Sequence, residues 1–351
     1  MISKALLLFF TAFLVTVISL PNIIKIATKR QLFDERTEER KIHTRNISNL
    51  GGIGIFTGFF FCILLFQVVC DSRELGSLAA AAVLLFFVAM KDDLVPTSPH
   101  LRLFFQFVIS AIIIFFGQVH FEHIPFPTDD TLVRSIGNIA FSFVFIVGMI
   151  NATNFIDGVD GLAATIGLFI CLVAGYLFYL SGEMAYCFTA WALAGSLLGF
   201  LLFNFAPAKI FMGDMGSMLI GVFISIFAIK LANIGHENPG LNLNYPGALI
   251  FSLLVIPLMD MVSVVAIRLA LHQSPFHADK RHLHHRLLGL GMSHPAICAV
   301  ELTFNALVFV LALRLQQCGS AWWPVLSTVV LAAAVETFVH AAYAKKHPGE
   351  F

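Results

Sequence analysis

About eleven apolar runs, each near the roughly 20 residues that an α-helix needs to cross a bilayer, take up most of this 351-residue chain. Their limits are close to 5–24, 49–70, 75–90, 100–119, 134–151, 159–180, 185–204, 212–233, 246–270, 296–315 and 321–344. The third is short with soft edges, so ten is the alternative count. The longest loop between runs is too short for a soluble domain. The expected fold is therefore all-α: a polytopic integral membrane helical bundle of about 11 transmembrane helices, one membrane-embedded domain over 1–351.

Composition agrees. Only 12% of the residues are charged and mean hydropathy is +0.88, against about 25% charge in a soluble protein. The net charge of zero argues against nucleic acid as a partner. Cys62, Cys70, Cys171, Cys187, Cys298 and Cys318 are scattered, form no CxxC, and read as small apolar side chains rather than a disulfide framework. The first run lacks a clear small-residue cleavage site. It reads as a retained span, with a signal peptide as the alternative.

Lys and Arg orient such a bundle, because cytoplasmic loops carry the positive excess. Lys25, Lys29, Arg30, Arg36, Arg40, Lys41 and Arg45 follow the first run, Lys280, Arg281 and Arg286 follow the ninth, and Lys345 and Lys346 end the chain. With eleven spans all of these fall on one face, which puts the N-terminus outside and the C-terminus in the cytoplasm. The unusual polar loops, near 25–48, 91–100, 151–161, 204–217 and 271–295, share that face. Chance would divide them between both faces, so a cytoplasmic active site is expected.

Four of these loops carry chemistry. In "KDDL" the adjacent acids Asp92 and Asp93 repel unless a cation is near. Open carboxylate oxygens suit Mg²⁺, a hard ion that keeps waters and binds substrate phosphates, with Mn²⁺ as a substitute; a solvated helix end is the plain alternative. A second acid pair, Asp129-Asp130, has no companions and reads as ordinary surface. In "NATNFIDGVDGLAA" the polar residues Asn151, Asn154, Asp157 and Asp160 recur every three positions and so lie along one side of a helix. A capping turn uses one or two such residues, not four, so a polar ligand site is the better reading. In "NFAPAKIFMGDMGS" Lys209 is a cationic phosphate candidate, Asn204 ends a span, and Asp214 offers a further oxygen ligand or caps a helix. In "SPFHADKRHLHHRLLGLG" His282, His284, His285 and Arg286 suit an anion such as a diphosphate or a sugar. Zinc at His282 and His285 is disfavoured by the basic neighbours. Lys41 and His43 precede Gly51-Gly52 in a further basic loop. Asp260 lies inside a span, where an acid is a functional candidate by default, and Pro257 nearby is a candidate helix break.

In this order "KDDL", "NATNFIDGVDGLA", "FMGDMGSMLIG" and "SPFHADKRHLHHRLL" resemble the polyprenyl-phosphate N-acetylhexosamine-1-phosphate transferases, from about Lys41 to about Gly291. The histidine loop is similar to the branch that transfers GlcNAc-1-phosphate; the branch that makes the first lipid intermediate of peptidoglycan from UDP-MurNAc-pentapeptide is the alternative. The chain departs from the pattern at Arg102, where the family usually has Lys, and in "NISNLGG", where a Pro is usual. The resemblance implies a Mg-dependent phosphoglycosyltransferase of the bacterial plasma membrane that acts on UDP-GlcNAc, or a related UDP-HexNAc, and undecaprenyl phosphate. It also implies membrane lipids as surroundings and allows a homodimer. Asp92, Asp93, Asp157 and Asp160 are then the catalytic candidates, and Asp214, Asp92 and Asn154 the metal candidates. Lys41, His43, Asn151, Asn154, Asn204, Lys209, His282, His284, His285 and Arg286 are the substrate-binding candidates. A transporter or flippase for an anionic substrate is the reading from another class. The clustering of polar motifs at one face, rather than at midplane, argues against it.

Overall fold

A computed structural model describes residues 1–32, 47–68, 73–95, 97–124, 130–237, 243–273 and 281–348. Lys41 and His43 lie outside them. The described residues contain helices and connecting turns, with no strand. In chain order the helices are α1 (Ile2–Arg30), α2 (Gly51–Leu65), α3 (Arg73–Leu94), α4 (Pro99–Ala111, continued by a π turn, Ile112–Phe116), α5 (Thr131–Phe155), α6 (Leu162–Ser181) and α7 (Met184–Asn204). They continue with α8 (Gly213–Glu237), α9 (Pro246–Leu253), α10 (Val255–Ala270), α11 (Leu283–Gly289), α12 (His294–Leu315) and α13 (Trp322–Lys346).

Each of the eleven apolar runs is helical, but they do not all span alike. Nine described helices are long and apolar enough to cross a membrane singly. The run expected at 246–270 is the bent pair α9 and α10, set at 75° to each other, which makes a tenth if counted as one span. The run expected at 49–70 is only the 15-residue α2. At 1.5 Å per residue it rises about 22 Å, less than the ~30 Å of a hydrocarbon core.

The bend has a local cause. Pro257 has no N–H, so the carbonyl four residues earlier, Leu253, loses its helical partner. Asn305 on α12 supplies one instead, with Nδ2 donating to Leu253 O at 3.0 Å. The break falls at Leu254, three residues before the proline.

The centre of the bundle is α8. In its most apolar stretch 94% of the residues are buried, against 11% in α13, so α8 is the axis and α13 a lipid-facing rim. Packed around α8 are α2, α3, α5, α6 and α9. Helix α1 lies along α7, where a Cβ on Gly195 would sit 2.1 Å from the Phe9 carbonyl oxygen. Small residues permit such close backbones, which is how helices associate where no hydrophobic drive exists between them.

At the end of the bundle away from the polar loops, Asp130 accepts from the backbone N–H groups of Leu132 and Val133 and caps α5. That is the plain surface role expected of it. Nearby, Asn233 on α8 holds the segment after α4 by accepting from Glu122 N and donating to the His120 carbonyl.

Candidate active site

The polar loops meet at the opposite end. Gly51 N and Gly52 N at the start of α2 donate to the carbonyls of Phe211 and Met212 in the α7–α8 connection. The C-terminal ends of α3 and α5 reach the N-terminus of α8 there, and the α5–α6 turn reaches α11 and the start of α12.

Four helices build the acidic centre. Asp92, near the end of α3, is 7% exposed and accepts from Thr97 N at 2.8 Å. Asp214, in the first turn of α8, is 5% exposed. The two carboxylates lie within hydrogen-bonding range of one another. Arg102 of α4 stands with both: its guanidinium pairs with Asp92, and Nη2 lies 3.2 Å from Asp214 Oδ2. From α5, Asn154 Nδ2 donates to Asp214 Oδ1 at 2.7 Å and to Ser217 Oγ at 2.8 Å. Residues 60 positions apart in the chain are thus directly bonded.

The second acid of the pair has a different partner. Asp93 accepts from Asp214 N at 2.9 Å and from Met215 N at 3.0 Å. These are first-turn N–H groups without helical acceptors, and the carboxylate also meets the positive end of the helix dipole. Asp93 thus caps α8 from another helix and fixes where Asp214 stands.

Several sequence candidates are likewise committed to the scaffold. Asn151 and Gln106 exchange side-chain hydrogen bonds, joining α5 to α4. Asn204 accepts from Gly161 N and donates to the Ile210 carbonyl, both at 2.9 Å. Asp160 is buried, accepts from Ala208 N at 3.1 Å, and lies 3.5 Å from His294 Nδ1 at the start of α12. The four polar residues of "NATNFIDGVDG" therefore do not form one wall. Asn154 joins the acidic centre, Asn151 and Asp160 brace their neighbours, and Asp157 is half-buried in the turn between α5 and α6. Lys209 is exposed in the α7–α8 connection.

The histidine loop also divides. His282 Nδ1 is 2.6 Å from Asp260 Oδ2, and Leu283 N donates to Asp260 Oδ1 at 2.7 Å. The His282 ring centroid is 5.2 Å from that of Phe155, the residue after Asn154. His284 is 1% exposed and packs against Gly158: a Cβ there would lie 2.1 Å from His284 Nε2. Burial pushes the His284 imidazole down to about 3, so the ring is neutral. Arg286 is 2% exposed and pairs with Glu336 of α13. His284 and Arg286, expected from the sequence to hold sugar and diphosphate, stand deeper than the other residues of this loop. Both side chains are buried in contacts within the protein, because α11 must be fastened to α5 and α13. His285 is half-buried beside them.

The acidic centre fits a hard divalent cation. Asp214 Oδ2 is buried with no aligned hydrogen-bond donor, and two carboxylates already share one cationic group. Among the described residues no group of three or more His, Cys, Asp or Glu side chains could hold a metal. Two carboxylates with a neutral amide oxygen is the sparse protein contribution that Mg²⁺ accepts, the rest coming from water and phosphate.

Glu336 and Glu301 were not singled out from sequence. Both are acids inside spans, and the rule that flagged Asp260 would have flagged them too. Glu301 is 3% exposed, and its Oε1 meets no hydrogen-bond partner.

Comparison with known proteins places this geometry. The sequence pattern of glycosyl transferase family 4 matches residues 75–232, which include Asp92, Asn154 and Asp214. A probable undecaprenyl-phosphate N-acetylglucosaminyl 1-phosphate transferase of Bacillus subtilis (strain 168) is 30% identical over 296 residues, covering 82% of this chain and 78% of the relative. A decaprenyl-phosphate N-acetylglucosaminephosphotransferase of Mycolicibacterium smegmatis is 30% identical over 278 residues, 73% of this chain and 68% of the relative. An undecaprenyl-phosphate alpha-N-acetylglucosaminyl 1-phosphate transferase of Escherichia coli (strain K12) is 28% identical over 287 residues, 80% of this chain and 76% of the relative. With the described parts of its four motifs folded to one end of a helical bundle and relatives aligned over most of its length, the chain belongs to glycosyl transferase family 4.

Proposed function

We propose that the protein transfers GlcNAc-1-phosphate from UDP-GlcNAc to undecaprenyl phosphate at the cytoplasmic face of a bacterial plasma membrane. The observation that carries this reading is the meeting of Asp92, Asp214, Asn154 and Arg102 at one end of a membrane bundle. The names of its relatives point the same way. The cytoplasmic assignment rests on the Lys and Arg content of the loops at that end.

A phosphate oxygen of the lipid forms a new bond to the β-phosphorus of UDP-GlcNAc. The bond from that phosphorus to the bridging oxygen breaks, and UMP leaves with the electron pair. One phosphoanhydride replaces another, so the reaction is close to thermoneutral and catalysis rests on positioning and charge neutralisation. Asp92 and Asp214, with the Asn154 amide oxygen, are the residues that would hold Mg²⁺. When bound, such an ion supplies positive charge to diphosphate oxygens. Arg102 supplies a second, fixed positive charge at the same place. Lys209 is free to meet a phosphate from the exposed loop, and His282 and His285 meet the sugar nucleotide. Asp157, in the α5–α6 turn, is assigned to the nucleotide. Asp93 and Asp160 hold the frame on which these groups stand.

The test uses purified protein in detergent with undecaprenyl phosphate, Mg²⁺ and a panel of UDP-sugars, following UMP release and lipid-linked sugar. Mg²⁺-dependent release with UDP-GlcNAc, lost in Asp214→Asn, is the expected result. Release only with UDP-MurNAc-pentapeptide would overturn the donor and keep the chemistry. No release with any donor, from protein shown to be folded, would overturn the transferase reading.

A further inference from the structure

Asp260 stands inside a span, is 2% exposed, and uses both carboxylate oxygens on the first residues of α11. Oδ1 takes the Leu283 N–H at 2.7 Å, and Oδ2 lies 2.6 Å from His282 Nδ1. A carboxylate only accepts, so the hydrogen between Asp260 and His282 belongs to Nδ1. That fixes the ring's orientation and leaves Nε2 as its one remaining polar atom. The ring itself lies against Phe155, one residue from the Asn154 that bonds Asp214. His282 is therefore tied at one edge to Asp260, inside a span, and its ring meets Phe155 at the end of the helix that also carries Asn154.

From this geometry we infer that Asp260 is a positioning residue for the transferase: it holds His282 in the Nδ1–H form, with Nε2 presented to the sugar-nucleotide substrate. The inference rests on the proposed function for what His282 touches, but not for the hydrogen bond itself. Charged and titratable groups face the pair from each packed element: Arg268 on its own helix, His284, His285 and Arg286 on α11, Glu301 on α12 and Glu336 on α13. Asp260 lies within hydrogen-bonding distance of His282 Nδ1. Where a histidine ligates a metal, a carboxylate partner of this kind sets tautomer and direction, and its loss costs about 10–100-fold in affinity or activity; an effect of the same order is expected here.

The discriminating substitution is Asp260→Asn. Its amide oxygen still accepts from Leu283 N, so α11 keeps its start. Its NH₂ group now opposes Nδ1 and drives the hydrogen to Nε2. Asp260→Glu restores two acceptors. The expected result is a folded Asp260→Asn protein with thermal midpoint near wild type, kcat reduced about 10–100-fold, and partial recovery in Asp260→Glu. Wild-type kcat in Asp260→Asn would overturn the inference, as would a loss confined to thermal stability. A second readout does not depend on activity or on the Asp260 variants folding. Solid-state NMR of ¹⁵N-histidine-labelled wild-type protein, with the His282 signals assigned by loss in His282→Gln, reads the tautomer directly. A protonated Nδ1 is expected; a bare Nδ1 with hydrogen on Nε2 would overturn the inference. If wild-type protein releases UMP from no donor, the transferase reading fails while the NMR result still judges the Asp260–His282 bond.

Discussion

Arg102 reaches from α4 to 3.2 Å from Asp214 on α8, and its other contact is the ion pair with Asp92 on α3. One guanidinium therefore keeps two adjacent carboxylates together. Arg102→Met removes that charge and leaves the two acids facing each other. Because Arg102 is about one-third exposed, the cost is smaller than for a fully buried pair, about 1–3 kcal/mol. Thermal unfolding of the metal-free protein is expected to move down accordingly, and millimolar Mg²⁺ is expected to raise the variant's midpoint more than the wild type's. Equal Mg²⁺ responses would show that the two carboxylates are not a shared cation site. Arg102→Lys restores the charge but not the fork, so an intermediate midpoint is expected.

Neighbouring acids in "KDDL" are expected to fail in different ways. Asp92→Asn keeps an acceptor for Thr97 N but loses the charge at the acidic centre. Turnover is expected to fall at least about 100-fold, roughly the cost of removing one electrostatic group from a reacting site, with little change in melting. Asp93→Ala strips the cap from α8, which costs about 1–2 kcal/mol in stability. Assay and melting curve together read this division; an Asp92→Asn protein with full turnover would reverse it.

Gly158 and His284 leave no room for a methyl group. Building a Cβ at Gly158 puts it 2.1 Å from Nε2 of a ring that is itself buried. Gly158→Ala is expected to cost about 1–3 kcal/mol through overpacking and to lower activity by displacing α11. The double variant Gly158→Ala with His284→Ala is expected to recover part of the stability. A single variant with wild-type melting would show that the loop yields freely.

Acid should weaken the fold through His284. Its folded pKa is lowered to about 3 by burial, against about 6.5 in an unfolded chain. Below about pH 6.5 the unfolded state takes up a proton that the folded state refuses, so stability falls as pH falls, down to about pH 3. The slope for this one group is about 1.4 kcal/mol per pH unit. Unfolding measured at pH 7, 6 and 5 should show a shallower decline in His284→Phe than in wild type; identical slopes would mean that His284 is already charged when folded.

How far the sequence discloses this architecture depends on the range of the interaction. The apolar runs report on the bilayer, a property of each segment alone, and each appears as helix. Proline chemistry is equally local, and the break before Pro257 follows from it. Pairing is another matter. The spacing of Asn151, Asn154, Asp157 and Asp160 suggested one shared face, but the partners that divide them — Gln106, Asp214 and Ala208 — come from α4, α8 and the α7–α8 connection. Likewise nothing near Arg286 announces Glu336, 50 residues on. The motifs name residues that meet at one end of the bundle, and only the packing decides which acid holds a helix.

The spacing of these ion pairs bears on how the protein is made. Asp92 is followed after 10 residues by Arg102, and Asp260 after 22 by His282. Asp92, near the end of α3, and Asp260, inside α10, are thus each trailed closely by the side chain that binds them. Neither charge has to wait for the rest of the chain before it can leave water. Asp214 has its cation waiting when it arrives, since Arg102 is synthesised long before it. Insertion into the bilayer, one hairpin after another, can therefore proceed in the order of translation with a partner at hand for Asp92, Asp214 and Asp260.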